Sequence, residues 1–150
     1  MKLTRRQLRS LIAESMDFSP DYTRIFMDEL DSSFFTGGYK YPCLFFHEEF
    51  PDNCMVSMRL TGIDKNTAYI DDIQTQGKGC QQKGYGRQFM ETVLAVADMY
   101  TVTLVLDVAP TSNTPHEALV KFYETVGFQS AGIADHPYRM RRLPVSLTRN

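Results

Sequence analysis

The chain has 150 residues, 43% of them hydrophobic, which predicts one folded domain over residues 1–150 with a core that needs no disulfide or metal. Its 16 basic and 18 acidic residues leave a net charge of −2, which argues against a protein that binds nucleic acid by neutralising phosphates. No apolar run approaches the roughly 20 residues that span a bilayer, so we expect no membrane segment.

The first residues combine features of an organelle transit peptide with those of a folded helix. Residues 1–16 are Arg-rich and amphipathic, as transit peptides are. However, Thr4 and Gln7 have the spacing of a capping box, which predicts a helix with the apolar stripe Leu8, Leu11, Ile12 and Met16. A second helix is predicted to begin at Ser19 and Pro20 and to bury Ile25, Phe26 and Leu30.

Apolar runs separated by turn residues predict three strands, over Pro42–Phe46, Met55–Leu60 and Thr67–Thr75. The pattern then changes to a helix over Gly86–Met99, a buried strand over Val102–Val108 and a helix from His116 that ends at Gly127. Two last strands are predicted at Phe128 and over Tyr138–Leu143. The basic C-terminal stretch of Arg139, Arg141, Arg142 and Arg149 is expected to be a solvated strand edge, with binding of an acidic partner as the alternative.

The cysteines and histidines give no sign of a disulfide or metal site. Cys43, Cys54 and Cys80 are odd in number and lack C-x-x-C spacing, so we expect free thiols, a reducing compartment and a cytoplasmic protein. Cys80 is then a bystander thiol. His47 and His136 have no partners at metal-ligand spacing, and we expect no metal.

The segment between Thr75 and Gly86 is rich in glycine and lies between a predicted strand and a predicted helix. The free N–H groups and positive dipole end of such a helix predict a phosphate or pyrophosphate site. Lys78, Lys83 and Arg87 add positive charge there. A Walker loop is excluded because no Gly-Lys pair precedes Ser or Thr, and the dinucleotide fingerprint lacks its third glycine.

Gln81-Gln82-Lys83-Gly84-Tyr85-Gly86 has the form Q/R-x-x-G-x-G/A and resembles the pyrophosphate loop of the GNAT superfamily of N-acetyltransferases. The segment from His116 to Phe128 is similar to that family's N-x-x-A-hydrophobic-x-hydrophobic-Y-E-x-x-G-F pattern. The resemblance covers about residues 55–143. It implies an α+β fold: a mixed, mostly antiparallel sheet flanked by helices, with a central parallel strand pair that splays to admit acetyl-coenzyme A.

The same resemblance implies transfer of an acetyl group from acetyl-coenzyme A to a primary amine by direct attack in a ternary complex. It implies that the cofactor-binding residues are Ile73, Gln74, Thr75, Gln81, Gln82, Lys83, Gly84, Tyr85, Gly86, Arg87 and Phe122. Tyr123 matches the family's general acid. A backbone amide near Ile73 or Gln74 is expected to face the thioester oxygen.

No catalytic base follows from the resemblance, because Tyr69 stands where some members carry an acidic residue. Asp71 and Asp72 are neighbours on a strand and should therefore point to opposite faces. We prefer Asp72 as the base, with a water chain, Glu48 and Glu49 as rivals.

An alternative interpretation keeps the cofactor cleft without the acceptor chemistry, as in an inactive acyl-coenzyme A sensor or a protein-interaction module. For an enzyme, the acidic residues near the acceptor side favour a cationic amine, on a small molecule or on a protein. We expect no nucleic-acid or membrane partner. The oligomeric state is left open, a homodimer included.

Overall fold

The computed structural model describes residues 2, 4–9, 20–81, 83–109 and 115–145. Residues 5–9 are helical, and the capping box is confirmed: the Thr4 amide donates to Gln7 Oε1 at 2.9 Å, and the Gln7 amide donates to Thr4 Oγ1 at 3.1 Å. Of the apolar stripe predicted for this helix, Leu8 is half exposed and the other three residues lie outside the described ranges.

The elements that follow are α1 (Tyr22–Ser33), β1 (Phe35–Thr36), β2 (Cys43–Phe50), β3 (Cys54–Asp64), β4 (Thr67–Gln76), α2 (Tyr85–Met99), β5 (Thr103–Asp107), α3 (His116–Thr125), β6 (Gln129–Ser130) and β7 (Arg139–Arg142). None of the described helices is both long enough and apolar enough to cross a bilayer. The elements predicted from Thr67 onwards agree with the structure to within a few residues at each end.

Helix α1 begins later than predicted. Its N-cap is Asp21, whose carboxylate accepts a hydrogen bond from the Arg24 amide at 3.0 Å, while Pro20 precedes the helix and Ser19 is outside the described ranges. The predicted burial of Phe26 and Leu30 is confirmed. The prediction for Ile25 is wrong, since this residue is 40% exposed and the buried stripe runs one position further round the helix.

The strands form one sheet in the order β1-β2-β3-β4-β5-β7-β6. Every neighbouring pair is antiparallel except β4 and β5, which are parallel. This is the mixed, mostly antiparallel α+β architecture that the sequence predicts. The parallel pair lies in the middle of the sheet. Its two strands are joined by α2, the kind of crossover connection that parallel strands need.

One face of the sheet carries the core. Helices α1 and α2 meet there, and the ring of Phe34 lies 5.2 Å from that of Phe46 and 5.4 Å from that of Phe89. The inward side chains of the central strands, Leu44, Phe46, Met58, Leu60, Ala68 and Leu104, are at most 1% exposed. Burial of these side chains fixes which face of each strand is turned to solvent.

Arg142 is an interior residue, and the prediction of a solvated edge is wrong for it. Strand β7 lies between β5 and β6, and the Arg142 side chain is 9% exposed. Its Nη1 and Nη2 donate to the two carboxylate oxygens of Asp98 on α2 at 2.7 and 2.9 Å, and its Nε donates to the Val126 carbonyl at 3.1 Å. This buried ion pair ties α2, the end of α3 and the sheet together.

Candidate functional site

The sheet opens between β4 and β5. Their parallel pairing begins at Thr67 with Thr103 and ends at Ile70 with Leu106. Beyond that point β4 continues to Gln76, whereas β5 ends at Asp107. Among the described residues, no strand pairs with the edge of β4 that faces β5 along this stretch. Such an edge can hydrogen-bond an extended ligand. We refer to this opening as the fork.

A β-bulge in β4 lies at the start of the fork. On β3, Leu60 pairs with Ile70 but the preceding residue, Arg59, pairs with Asp72, so that Asp71 is an extra residue. A bulge of this kind bends its strand and increases the local twist. Pairing of β4 with β5 ends at Ile70, the residue before the bulge.

The bulge also places Asp71 and Asp72 on the same face, so the prediction that they point to opposite faces is wrong. Asp71 accepts a hydrogen bond from the Thr61 hydroxyl on β3. In the strand register Asp72 lies opposite Arg59, which is two residues from Thr61 and therefore on the same face of β3. Asp72 Oδ2 also accepts from Gln74 Nε2 at 2.9 Å. Strict alternation fails here because one residue has been inserted. Both carboxylates lie on the face opposite the core.

The N-terminus of α2 lies at the open end of the fork. Its N-cap, Gly84, has φ = 77° and provides no side-chain cap, and the first helical hydrogen bond runs from the Gln88 amide to the Gly84 carbonyl at 3.0 Å. The amides of the first turn, from Tyr85 to Arg87, are therefore available to an anion. Gln82, also predicted to belong to this loop site, lies outside the described ranges.

The basic side chains around this helix end differ in their availability. Lys83 Nζ forms an exposed ion pair with Asp52 at 2.9 Å, and the hydrogen bond to that carboxylate raises the pKa of Lys83. Arg87 instead spans the gap between α2 and α3: it donates to Thr125 Oγ1, and its guanidinium lies 5.9 Å from the centre of the Phe122 ring. Arg87 and Phe122 thus form one wall beside the anion site.

Tyr123 points from α3 into the core near the fork. It is 8% exposed, and its ring lies 5.3 Å from that of Phe122 and 5.7 Å from that of Phe128. Burial raises the pKa of the Tyr123 hydroxyl, and the negative charge of Asp72 raises it further. The hydroxyl therefore stays protonated at neutral pH. No residue in the described ranges accepts a hydrogen bond from it.

The rival bases, Glu48 and Glu49, lie on β2 and are level with the end of β4 rather than with Asp72. Glu48 pairs with Val56 opposite Thr75, and Glu49 pairs with Met55 opposite Gln76. At about 3.3 Å per residue, these positions are about 10 Å or more along the sheet from Asp72. Burial raises the pKa of Glu48. Both glutamates are nearer to the anion site than to the bulge.

A cluster of three side chains at the closed end of the fork has no counterpart in the sequence predictions. Asp107 Oδ2 accepts from the Tyr69 hydroxyl at 2.6 Å, and Arg139 donates to Asp107 through Nε at 2.9 Å and Nη2 at 3.0 Å. Burial and this hydrogen bond raise the pKa of Tyr69 to about 12, while Arg139 lowers that of Asp107. The cluster joins β4, β5 and β7 at the point where the fork begins. Asp107 is 38 residues from Tyr69 and 32 residues from Arg139, and no local sequence pattern connects residues so far apart.

Cys54 and Cys80 form a disulfide, so the prediction of free thiols is wrong for both. Their Cα atoms are 5.7 Å apart, and the bond joins the start of β3 to the glycine-rich loop. Pairing across 26 residues depends on the tertiary approach of two turns, which cysteine spacing does not reveal. The argument for a reducing compartment no longer holds. Cys43 is a free, exposed thiol.

Within the described ranges, no group of three or more His, Cys, Asp or Glu side chains could hold a metal ion. The described part of the site consists of backbone groups, Lys83, two arginines (Arg87 and Arg139), aromatic rings and carboxylates. Such a set suits a ligand with an anionic end and an extended arm.

Known structures share this fold. Tetrahymena GCN5 superposes with a TM-score of 0.52 at 13% identity, covering 95% of this chain and 91% of that chain. A GNAT family acetyltransferase from Elizabethkingia anophelis, solved with acetyl-CoA bound, gives a TM-score of 0.51 at 18% identity over 71% of this chain and 77% of its own. The anti-CRISPR protein AcrVA5 gives a TM-score of 0.51 at 20% identity over 65% of this chain and 96% of its own.

These likenesses confirm the GNAT resemblance at the level of the fold. Sequence comparison adds nothing to it: no protein-family model matches this chain. No curated protein sequence matches it either. Assignment of an activity therefore depends on the fork, the helix end and the side chains around them.

Proposed function

We propose that this protein is an N-acetyltransferase that moves an acetyl group from acetyl-coenzyme A to a primary amine. The observation that carries the proposal is the fork, whose unpaired β4 edge leads from the Tyr123 region to the uncapped N-terminus of α2. Support also comes from the fold, which a structure with acetyl-CoA bound shares. The route has an anion-binding end and a proton donor at the other end.

The residues present fit coenzyme A. Its pyrophosphate would be held by the amides from Tyr85 to Arg87, with the Arg87 guanidinium beside them. Its pantetheine arm would bond the unpaired β4 edge over residues 73–75. Gln81 Nε2 already donates to the Thr75 carbonyl at 3.3 Å, which fixes the path of the chain between strand and loop. When bound, acetyl-coenzyme A supplies an acetyl group activated as a thioester.

The chain's own groups supply the two proton transfers that such a reaction needs. A primary amine with a pKa of about 10.4 is mostly protonated at neutral pH, so a base must remove a proton before attack. Asp72 is exposed on the face away from the core and can accept that proton. The Tyr123 hydroxyl is protonated and can donate to the departing sulfur. A backbone amide near Ile73 or Gln74 would polarise the carbonyl.

The function is tested by measuring thiol release from acetyl-coenzyme A against polyamines, aminoglycosides, amino acids, lysine peptides and free peptide N-termini. We expect release to require both the donor and at least one of these amines, with a mass gain of one acetyl group on the amine. Tight binding of coenzyme A without turnover on any amine would contradict an enzyme and favour a sensor.

Replacing Arg87 by alanine is expected to raise the KM for acetyl-coenzyme A about tenfold while kcat stays within about twofold. A charge-assisted hydrogen bond to a phosphate is worth about 1.5–3 kcal/mol, and the partial exposure of Arg87 places the effect at the lower end. The matched control is Thr125→Val, which removes the hydrogen bond to Arg87 but keeps its charge. Equal losses in both variants would assign Arg87 to packing between α2 and α3 instead.

Asp72→Asn is expected to lower kcat/KM for the amine about 100-fold, with donor affinity unchanged, because the base is lost and the shape is kept. Asp71→Asn is the matched control: Asp71 lies on the same face but is hydrogen-bonded to Thr61, and we expect its effect to stay within about threefold. Steady-state kinetics from pH 6 to 9 would check both. A larger loss in the Asp71 variant would reverse the assignment.

A further inference from the structure

The Cys54–Cys80 disulfide is placed where it can control the anion site. Cys54 follows the turn at residues 51–53, and Cys80 lies four residues before Gly84, the N-cap of α2. Both cysteines are almost fully buried, at 2% and 1% exposure. The described residues between 77 and 84 (77–81, 83 and 84), here called the anion loop, are thus attached to the β2–β3 turn by a covalent bond.

Among the described residues, the other contacts of the anion loop are one side-chain hydrogen bond to β4, from Gln81 Nε2 to the Thr75 carbonyl at 3.3 Å, one ion pair, and hydrogen bonds within the loop itself and at the start of α2. The Cys80 amide donates to the Gly77 carbonyl at 3.3 Å, and the Lys83 amide donates to the Cys80 carbonyl at 3.5 Å. The Lys83–Asp52 ion pair also reaches the β2–β3 turn, but the two side chains are 40% and 69% exposed. An ion pair so exposed contributes little, and salt screens it. Among the described residues, the disulfide is therefore the main tether between the loop and the β2–β3 turn.

The tether also brings the loop very close to the turn. A Cβ atom on Gly77, which has φ = +116°, would lie 2.6 Å from Cys80 Sγ and 2.8 Å from the Asn53 carbonyl oxygen. Only glycine fits between the sulfur and the turn. Breaking the bond would remove the covalent link between these two backbones, and the loop that leads into the α2 N-terminus would gain freedom.

We infer that Cys54 and Cys80 are a reversible redox-modification site that sets the affinity of the anion loop for the pyrophosphate of coenzyme A. The inference rests on the proposed function. In the oxidised state the α2 amides are held ready for the ligand. In the reduced state the loop must be ordered on binding, and that cost weakens affinity.

The chemistry is thiol–disulfide exchange with a dithiol reductant. One thiolate of the reductant attacks a protein sulfur, the S–S bond breaks to give a mixed disulfide, and the second thiolate displaces the other protein thiol. Two electrons and two protons pass to the protein, and the reductant ends as a cyclic disulfide. Lys78, Gly79 and Gln81, which flank Cys80, are exposed, so opening of this surface loop admits the reductant.

The test compares oxidised and dithiothreitol-reduced full-length protein, with the reductant removed before measurement. Alkylation and mass spectrometry count the thiols, and calorimetry measures the Kd for desulfo-coenzyme A, which has no thiol to exchange. We expect the Kd to rise about tenfold on reduction and to recover on reoxidation with glutathione disulfide. The Cys43→Ser variant should respond as the wild type does. The double variant Cys54→Ser/Cys80→Ser should bind as the reduced protein does, and neither dithiothreitol nor glutathione disulfide should change its Kd.

S-acetyl-pantetheine, which has no pyrophosphate, provides a control donor whose turnover should not respond to reduction. Equal Kd values in the two states would overturn the redox inference and leave the proposed function intact. Failure of both states to bind would overturn the proposed function itself. Two titratable thiols at positions 54 and 80 after oxidation, or loss of the whole fold by circular dichroism on reduction, would also overturn the inference.

Discussion

Replacing Tyr123 by phenylalanine is expected to lower kcat about 100- to 1000-fold while the Kd for coenzyme A changes less than about threefold. The substitution removes one hydroxyl and keeps a ring of the same size between Phe122 and Phe128. Because no described residue accepts a hydrogen bond from that hydroxyl, its loss leaves no acceptor in the described part of the chain unsatisfied. Folding should therefore be almost unaffected.

The measurement is single-turnover acetyl transfer together with calorimetric binding of coenzyme A. The control is Tyr100→Phe, at the C-cap of α2 and thus at the opposite end of that helix from the anion site, which should leave both quantities unchanged. An ordinary rate in the Tyr123 variant would remove Tyr123 from the mechanism. Burial and the charge of Asp72 raise the pKa of Tyr123. If Tyr123 is the proton donor, wild-type activity should therefore persist above the pH at which a free tyrosine ionises.

Replacing Arg142 by methionine is expected to lower the free energy of unfolding by about 3–5 kcal/mol. Methionine keeps much of the aliphatic volume but leaves the carboxylate of Asp98, only 11% exposed, without its partner. Adding Asp98→Asn in the same chain should restore part of the loss, since no uncompensated charge then remains. Urea unfolding followed by circular dichroism would measure both variants; equal stability of the single variant and the wild type would contradict this account.

The same ion pair gives a pH dependence of stability. Burial alone would raise the pKa of Asp98, but the hydrogen bonds from Arg142 and the Val145 amide outweigh it and lower the pKa. A carboxyl with a lowered folded-state pKa stabilises fully above its unfolded value of about 3.9, and the contribution is lost as pH falls through the folded pKa. The wild type should lose this stability below about pH 4, and Asp98→Asn should show a flatter acid limb.

Local sequence patterns predicted the second half of the chain well because they depend on short-range rules. Helical spacing placed α2, the apolar run at Val102–Val108 placed β5, and Gly127 follows the end of α3 with φ = 102°. The glycine-rich loop was placed correctly between a strand and a helix for the same reason. The burial of Ile25 in α1 could not be judged in this way, since Ile25 and Phe26 are both apolar and only the tertiary packing leaves Phe26 fully buried and Ile25 40% exposed.

Features that depend on distant parts of the chain could not be predicted. The disulfide requires two turns to meet, and the Asp107 cluster requires three strands to lie side by side. Arg142 is charged and follows other arginines, so only the strand order reveals that it is interior. The faces of Asp71 and Asp72 were missed because an inserted residue looks like any other in a strand pattern.

That inserted residue has a consequence for how the molecule can vary. Pairing between β4 and β5 ends at Ile70, immediately before the residue that β4 has in excess of β3, so the gap beside β4 begins at the insertion. Substitutions at positions 71 and 72 can therefore change the side-chain groups that face an incoming molecule while the gap beside β4 is kept. Side-chain identity at these positions can change the reactivity of the site, whereas the insertion or deletion of a residue in β4 can change access to it.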